Sequence, residues 1–292
     1  NGAYIALGLL YGRGDIDRSI RISCRAGQDS DCNPSNVAGV LFTTLGFSRV
    51  PDKFKEKLDE SQYWSHTSYN FPKLIAACEK VAREAVAAGF QVNTHAIGDR
   101  ANHEVLAAYA AALGGKNDRR FRIEHAQVVA PADFELFAKY SIIASMQATH
   151  ATSDMRWAEK RLGPERVKGA YAWRRFLALG VRVPNGSDFP VEGPNPLYGF
   201  YAAITRQDRS GNPPEGWFPD QRMTRAEALE SWTRAGAYAA FEESWKGTLA
   251  PGMAADFIML STDIMTAPPA GILKARVLMT VVGGEIVYEA RP

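Results

Sequence analysis

Three apolar, β-rich runs of this sequence end on a side chain that can hold a metal ion or move a proton: residues 89–95 end on His95, residues 121–125 on His125, and residues 181–188 on Asp188. Catalytic zinc usually takes three protein ligands from histidine and carboxylate and leaves a fourth position for water, whose pKa falls to about 7. Two histidines and one aspartate meet that count. Taken singly, each has an ordinary alternative. A lone histidine at a strand end is more often a hydrogen-bonded core or rim residue, and an aspartate commonly organises the turn that follows it. The case for chemistry is convergence: in a parallel barrel every strand C-terminus opens on one face, so residues distant in sequence meet there.

The elements that must position them alternate as βα units do around a parallel sheet. Strands are expected at residues 19–24, 37–42, 89–95, 121–125, 142–147 and 181–188. Ile20 and Ile22 alternate with polar neighbours at the two-residue period of a half-buried strand. Pro184 counts against a regular strand at the last position. Amphipathic helices are expected over residues 71–88, 99–113, 131–140, 164–179 and 224–239, with Pro131 and Pro164 where a first helical turn tolerates proline and Asp99 as a helix cap. Six strands are two short of a closed barrel. The expected fold class is therefore α/β, an incomplete (β/α)8 TIM barrel over residues 1–246 with a small C-terminal β-appendage over 247–292, part of a small β-sandwich.

The contexts of the three residues resemble a known family. Thr94-His95-Ala96-Ile97-Gly98-Asp99-Arg100-Ala101, Arg122-Ile123-Glu124-His125-Ala126-Gln127 and Gly186-Ser187-Asp188-Phe189-Pro190-Val191 look like three successive motifs of the amidohydrolase superfamily, in the branch called amidohydrolase family 3 or YtcJ-like. Gln147-Ala148-Thr149-His150, Asn195-Pro196-Leu197, Thr205-Arg206 and the closing run from Gly247 to Asp256 extend the likeness over roughly residues 71–288.

The resemblance implies a metal-dependent hydrolase of C–N bonds other than peptide bonds, acting on an amide, an N-acyl or N-formyl amine, or a cyclic amide. It implies His95, His125 and Asp188 as metal ligands, Asp188 also as the catalytic proton shuttle, and His150 and Arg206 beside the substrate. The cofactor implied is a divalent metal, with zinc foremost. Two departures stand against it. The family's His-x-His pair does not occur among the five histidines here, where His66 and His103 stand alone, and residues 40–46 carry no lysine where many members place a bridging one. The rival reading is a truncated or degenerate, non-catalytic barrel protein.

Composition bounds the partners. With 34 basic and 32 acidic residues spread along 292 positions, no basic block is present to track phosphates, so nucleic acid is not an expected partner. No apolar run reaches the roughly 18 residues that would cross a bilayer. The expected partner is a small-molecule amide, with a homo-oligomer left open. Three cysteines are too few for a disulfide framework; Cys24 and Cys32 flank a polar loop that permits pairing without requiring it. Reduced thiols favour the cytoplasm without fixing the compartment. Asn1 reads as an interior start, without the basic flank of a signal peptide.

Overall fold

The computed structural model describes residues 2–25, 37–38, 40–41, 61, 63, 68–115 and 117–291, and contacts divide the chain into two units, Asn1–Phe71 and Pro72–Pro292. His66 lies outside the described residues.

In the first unit, helices α1 (Gly2–Gly12) and α2 (Ile16–Arg25) pack through small residues. A Cβ on Gly8 would meet Ser19 O and Ser23 Cβ at 2.9 Å, and one on Gly12 would meet Ser19 Oγ at 1.7 Å. Both pairs are spaced by four, one helical turn, so they share faces that let the backbones approach. Residues 19–24 are thus helical and not the expected strand. Two alternating isoleucines are too short a run to define a period, and the buried face is instead Ser19 and Ser23. Asp15 caps α2 by accepting from Arg18 N at 2.7 Å. Within residues 37–42, Val37, Ala38, Val40 and Leu41 are helical too, again against expectation, while Gly39 and Phe42 lie outside the described residues.

The second unit holds a parallel three-stranded sheet, ordered β1 (Asn93–Ala96), β2 (Arg122–His125), β3 (Ile143–Ser145), making the molecule mixed α/β. Helix α3 (Phe71–Ala88) ends at Gly89, whose φ of 78° allows Phe90 N to turn back onto Ala85 O, so the strand begins only at Asn93. Helix α4 (Asp99–Leu113) follows β1; its N-cap is Gly98, not Asp99, which sits one residue inside and accepts two hydrogen bonds from Arg166 at 2.7 and 2.9 Å. Helix α5 (Phe134–Tyr140) joins β2 to β3.

Residues 181–186 run parallel along β3, with Met146 paired to Asn185 and Met146 N donating to Pro184 O at 2.9 Å. The ladder stays irregular there because Pro184 has no N–H to give. The helix expected over 164–179 is broken. Helix α6 (Ala148–Arg166) kinks at Gly163, φ 75°, and α7 (Trp173–Ala178) restarts after a turn. Residues 224–239 likewise form two helices, α9 (Arg225–Trp232) and α10 (Arg234–Ala239), following α8 (Pro196–Thr205). Last comes an antiparallel sheet of β4 (Phe257–Leu260), β5 (Val277–Val282) and β6 (Glu285–Glu289), with the short helix α11 (Pro269–Ile272) between β4 and β5.

The sheet's helix-side face carries Ile123 and Ala144, both fully buried, and Phe134 and Phe137 pack on Phe176 with ring centroids 4.7 and 4.8 Å apart. Burying each such side chain contributes ~1.5–3 kcal/mol. Two local expectations follow. A Cβ on Gly199 would lie 2.2 Å from Trp232 Cζ2 where α8 crosses α9. Gly199→Ala should therefore cost ~1–3 kcal/mol in denaturant unfolding; an unchanged midpoint would contradict that packing.

The second concerns acid. Glu227 closes a capping box with Thr224 and accepts from Arg174 at 2.7 and 2.6 Å; the Arg174 hydrogen bonds hold its carboxyl down at about 2 against 4.5 for a free glutamate. A depressed carboxyl stabilises the fold above its unfolded pKa and loses that contribution as pH falls through the folded one. The stability gap between the native protein and Glu227→Gln, ~1 kcal/mol for a partly exposed pair at pH 7, should close as pH falls from 4.5 toward 2. A gap independent of pH would refute the pairing.

Candidate metal centre

Parallel register puts the sequence-predicted residues side by side. His95 on β1 pairs with Glu124 on β2, and Glu124 with Ser145 on β3, so these three lie in one row on the face opposite Ile123. His125 ends β2 with φ 78°, and Ala126 follows at φ 45°. Two successive non-glycine residues in the left-handed region cost of order 1 kcal/mol each. Packing holds them there: Val128 N donates to Ile97 O, Tyr171 N to Gln127 O, and buried Asn102 Nδ2 to Val128 O at 3.0 Å. The consequence of that turn is the placement of the His125 ring.

His125 Nε2 lies 3.1 Å from His95 Nδ1, the rings meeting edge-on with centroids 4.7 Å apart. A tetrahedral ion with bonds of ~2 Å separates its ligand atoms by ~3.3 Å, close to that spacing. His95 is exposed and His125 buried. On the other side, His150 in the first turn of α6 stacks on His125 at 5.8 Å. Its Nε2 is 3.6 Å from Asp188 Oδ2, and Gln127 Nε2 is 3.0 Å from its Nδ1. Burial pushes His150 down to about 4, outweighing the opposing pull of Asp188, so it is neutral at pH 7 and the contact with Asp188 is not an ion pair. Asp188 follows the 181–186 segment at φ 54° and is half-buried.

One ligand atom from each of His125, His150 and Asp188 lies within 4.8 Å of the others. His150 Nε2 is buried and, among the described residues, has no hydrogen-bond partner. A buried nitrogen left unpaired costs about 1–3 kcal/mol, and a cation bridging it to the aspartate would relieve that cost. The donor set of imidazoles and one carboxylate is one zinc accepts, so the residues fit a divalent metal. The trio brought together is His125, His150 and Asp188; His95 adjoins it at His125.

Arg206 is not among the groups brought together. It is fully buried at the end of α8, donating Nε to Trp217 O at 2.7 Å and Nη1 to Tyr171 O at 2.8 Å over the face of Trp173. Burial draws it down to about 9. It braces the 205–217 loop. His103 pairs with Asp133 at 3.0 Å, whose carboxylate raises its pKa. Cys24 is an exposed free thiol, and Cys32 lies outside the described residues. A polar cavity of about 300 Å³ is lined by Thr149, Ser153, Arg156, Glu192, Tyr198 and Arg209 among others.

Sequence reasoning assigned no role to Glu124, Gln127 or Gln147. Ser145 Oγ and Gln147 Nε2 both donate to Glu124 Oε1 at 2.8 Å, and Gln147 Oε1 lies 2.8 Å from His125 Nδ1. The signal was present as Glu124 directly before His125 and Gln147 three residues before His150.

Residues 57–288 match the model of an amidohydrolase family. The chain belongs to this amidohydrolase family. Among curated relatives, the chain is 38% identical over 231 residues to protein LONG AFTER FAR-RED 3 of Arabidopsis thaliana, covering 76% of this chain and 39% of that one. It is 33% identical over 210 residues to the putative amidohydrolase YtcJ of Bacillus subtilis (strain 168), covering 72% and 40%. It is 28% identical over 204 residues to the N-substituted formamide deformylase of Arthrobacter pascens, covering 69% and 37%. Among solved structures, it is similar to an uncharacterized metal-dependent hydrolase from Pyrococcus horikoshii OT3, with 27% identity and a TM-score of 0.58 over 67% of this chain and 38% of that one. The chain thus spans about two fifths of the length of the curated relatives it matches. Among the described residues, no helix is long and apolar enough to cross a membrane.

Proposed function

We propose that this amidohydrolase chain carries the later strands of a (β/α)8 barrel and acts in metal-dependent hydrolysis of C–N bonds other than peptide bonds, on N-formyl or N-acyl amines or related amides. The observation that carries this is the meeting of His125, His150 and Asp188 within 4.8 Å at the ends of parallel segments, next to His95 at 3.1 Å. The formamide deformylase among its relatives supports N-formyl amines as the first substrates to try.

His125 and Asp188 would hold the ion, with His150 or His95 as the third ligand. A divalent cation there supplies Lewis acidity, polarising a carbonyl and making water acidic near pH 7. Asp188 takes the proton of the attacking water and returns it to the departing nitrogen, the work of a positioned general base and acid. Where His95 is the third ligand, His150, neutral at pH 7, is free to offer a hydrogen bond to the oxygen that gains negative charge. Arg206 is fully buried, and only its Nη2 has no hydrogen-bond partner among the described residues, so a substrate contact would have to come through that atom.

The test is hydrolysis of a panel of N-formyl and N-acyl amines by Zn²⁺-supplemented protein, read as release of primary amine. Release that requires the ion and is lost with EDTA supports the reading; protein that takes up Zn²⁺ yet releases no amine from any member would overturn it.

A further inference from the structure

We propose that Glu124 and Gln147 are positioning residues that fix the tautomer of His125, forcing its proton onto Nδ1 and leaving Nε2 as a bare lone pair. The argument is one of donors and acceptors. The Glu124 carboxylate accepts only. Ser145 Oγ and Gln147 Nε2 donate to its Oε1 at 2.8 Å each. The Gln147 amide is thereby oriented: with its NH₂ on the carboxylate, its Oε1 faces His125 Nδ1 at 2.8 Å. An amide oxygen cannot donate, so Nδ1 must carry the hydrogen. Nε2 is then the unprotonated atom, and it is the one 3.1 Å from His95 Nδ1. Turning the amide over would set its oxygen against the carboxylate and its NH₂ against the Nδ1 hydrogen, two repulsions in a site where His125 and Gln147 are each 5% exposed.

His150 provides the contrast. Its Nδ1 meets Gln127 Nε2 at 3.0 Å, and among the described residues the Gln127 amide makes no second hydrogen bond. No carboxylate orients that amide. What biases His150 is instead the Asp188 carboxylate 3.6 Å from its Nε2, an acceptor that favours the hydrogen on Nε2.

The inference rests on the metal reading only for its consequence. A ligand imidazole whose other nitrogen is held by an oriented partner binds better, and loss of such a partner typically costs about 10–100-fold in metal affinity. The experiment is two-bond ¹⁵N–¹H correlation NMR of the histidine rings in metal-free protein at about pH 8, above the ordinary histidine pKa of about 6.5. Zn²⁺ affinity is measured on the same samples. His125 should show the Nδ1–H pattern alone. Glu124→Gln frees the Gln147 amide to turn, so His125 should become mixed and Zn²⁺ affinity should fall about 10–100-fold. The double exchange Glu124→Gln with Gln147→Glu moves the carboxylate next to His125, where it again accepts from Nδ1–H, and should restore both readouts.

An Nε2–H pattern for His125 in the native protein would overturn the proposal, as would a tautomer unchanged in Glu124→Gln. So would failure of the double exchange to recover a single pattern in folded protein. A locked tautomer in a protein that takes up no Zn²⁺ sinks the metal reading and leaves this inference standing.

Discussion

Asp188→Asn should lower the rate of C–N hydrolysis by about 10²–10⁴, the usual contribution of a positioned general acid and base. Asparagine keeps the shape and an oxygen that can meet a cation, but it cannot accept the proton of the attacking water. The backbone at Asp188 has φ 54°, a region asparagine tolerates as well as any residue with a side chain, so the fold should survive. Its partner His150 is neutral at pH 7, so the substitution breaks no ion pair. The measurement is kcat for an N-formyl amine at saturating Zn²⁺. Turnover within a fewfold of the native rate would remove Asp188 from the chemistry.

His125→Ala should reduce Zn²⁺ affinity by more than about 100-fold, beyond the 10–100-fold that follows loss of an outer partner. His125 belongs to the group of three and is also the histidine that His95 meets, so its removal leaves Asp188 one ligand short whether His150 or His95 completes the set. The same substitution replaces a buried ring and leaves a cavity, costing ~2–4 kcal/mol of stability. Affinity is therefore compared in protein shown by circular dichroism to be folded. If His95→Ala and His150→Ala differ in their loss, the larger loss identifies the third ligand.

How much of this was legible beforehand follows from which interactions are local. Residues 121–125 and the helix over 99–113 are written in short-range pattern, apolar alternation for one and helical period for the other, and both occur close to expectation. Residues 19–24 fooled the same rule: Ile20 and Ile22 alternate, yet Ser19 and Ser23 pack against Gly8 and Gly12, and a contact between two helices outweighs a two-step alternation. The break in the helix expected over 164–179 depends on Tyr171 N reaching Gln127 O and Val129 N reaching Gly169 O, bonds across about 40 positions that no local window contains. The same distance in sequence hid the chain from Glu124 through Gln147 to His125, since each link is a side chain folded against another strand's end. That strand ends meet was legible from topology alone, and His125 and Asp188 do lie together, with His150 from the first turn of α6 as the third member of the group. Arg206 was legible as a motif residue, but its enclosure by Trp173 and Trp217 was not.

The central claim is that these strand ends hold a divalent metal through His125. The measurement that meets it most directly is anomalous diffraction at the zinc edge from crystals of the protein soaked in Zn²⁺. The account predicts an anomalous peak about 2 Å from His125 Nε2 and from an Asp188 carboxylate oxygen, with His95 or His150 completing the set. Zinc found only at surface histidines or carboxylates, with no peak beside His125 Nε2 in protein whose His95, His125 and His150 rings lie as described, would contradict it.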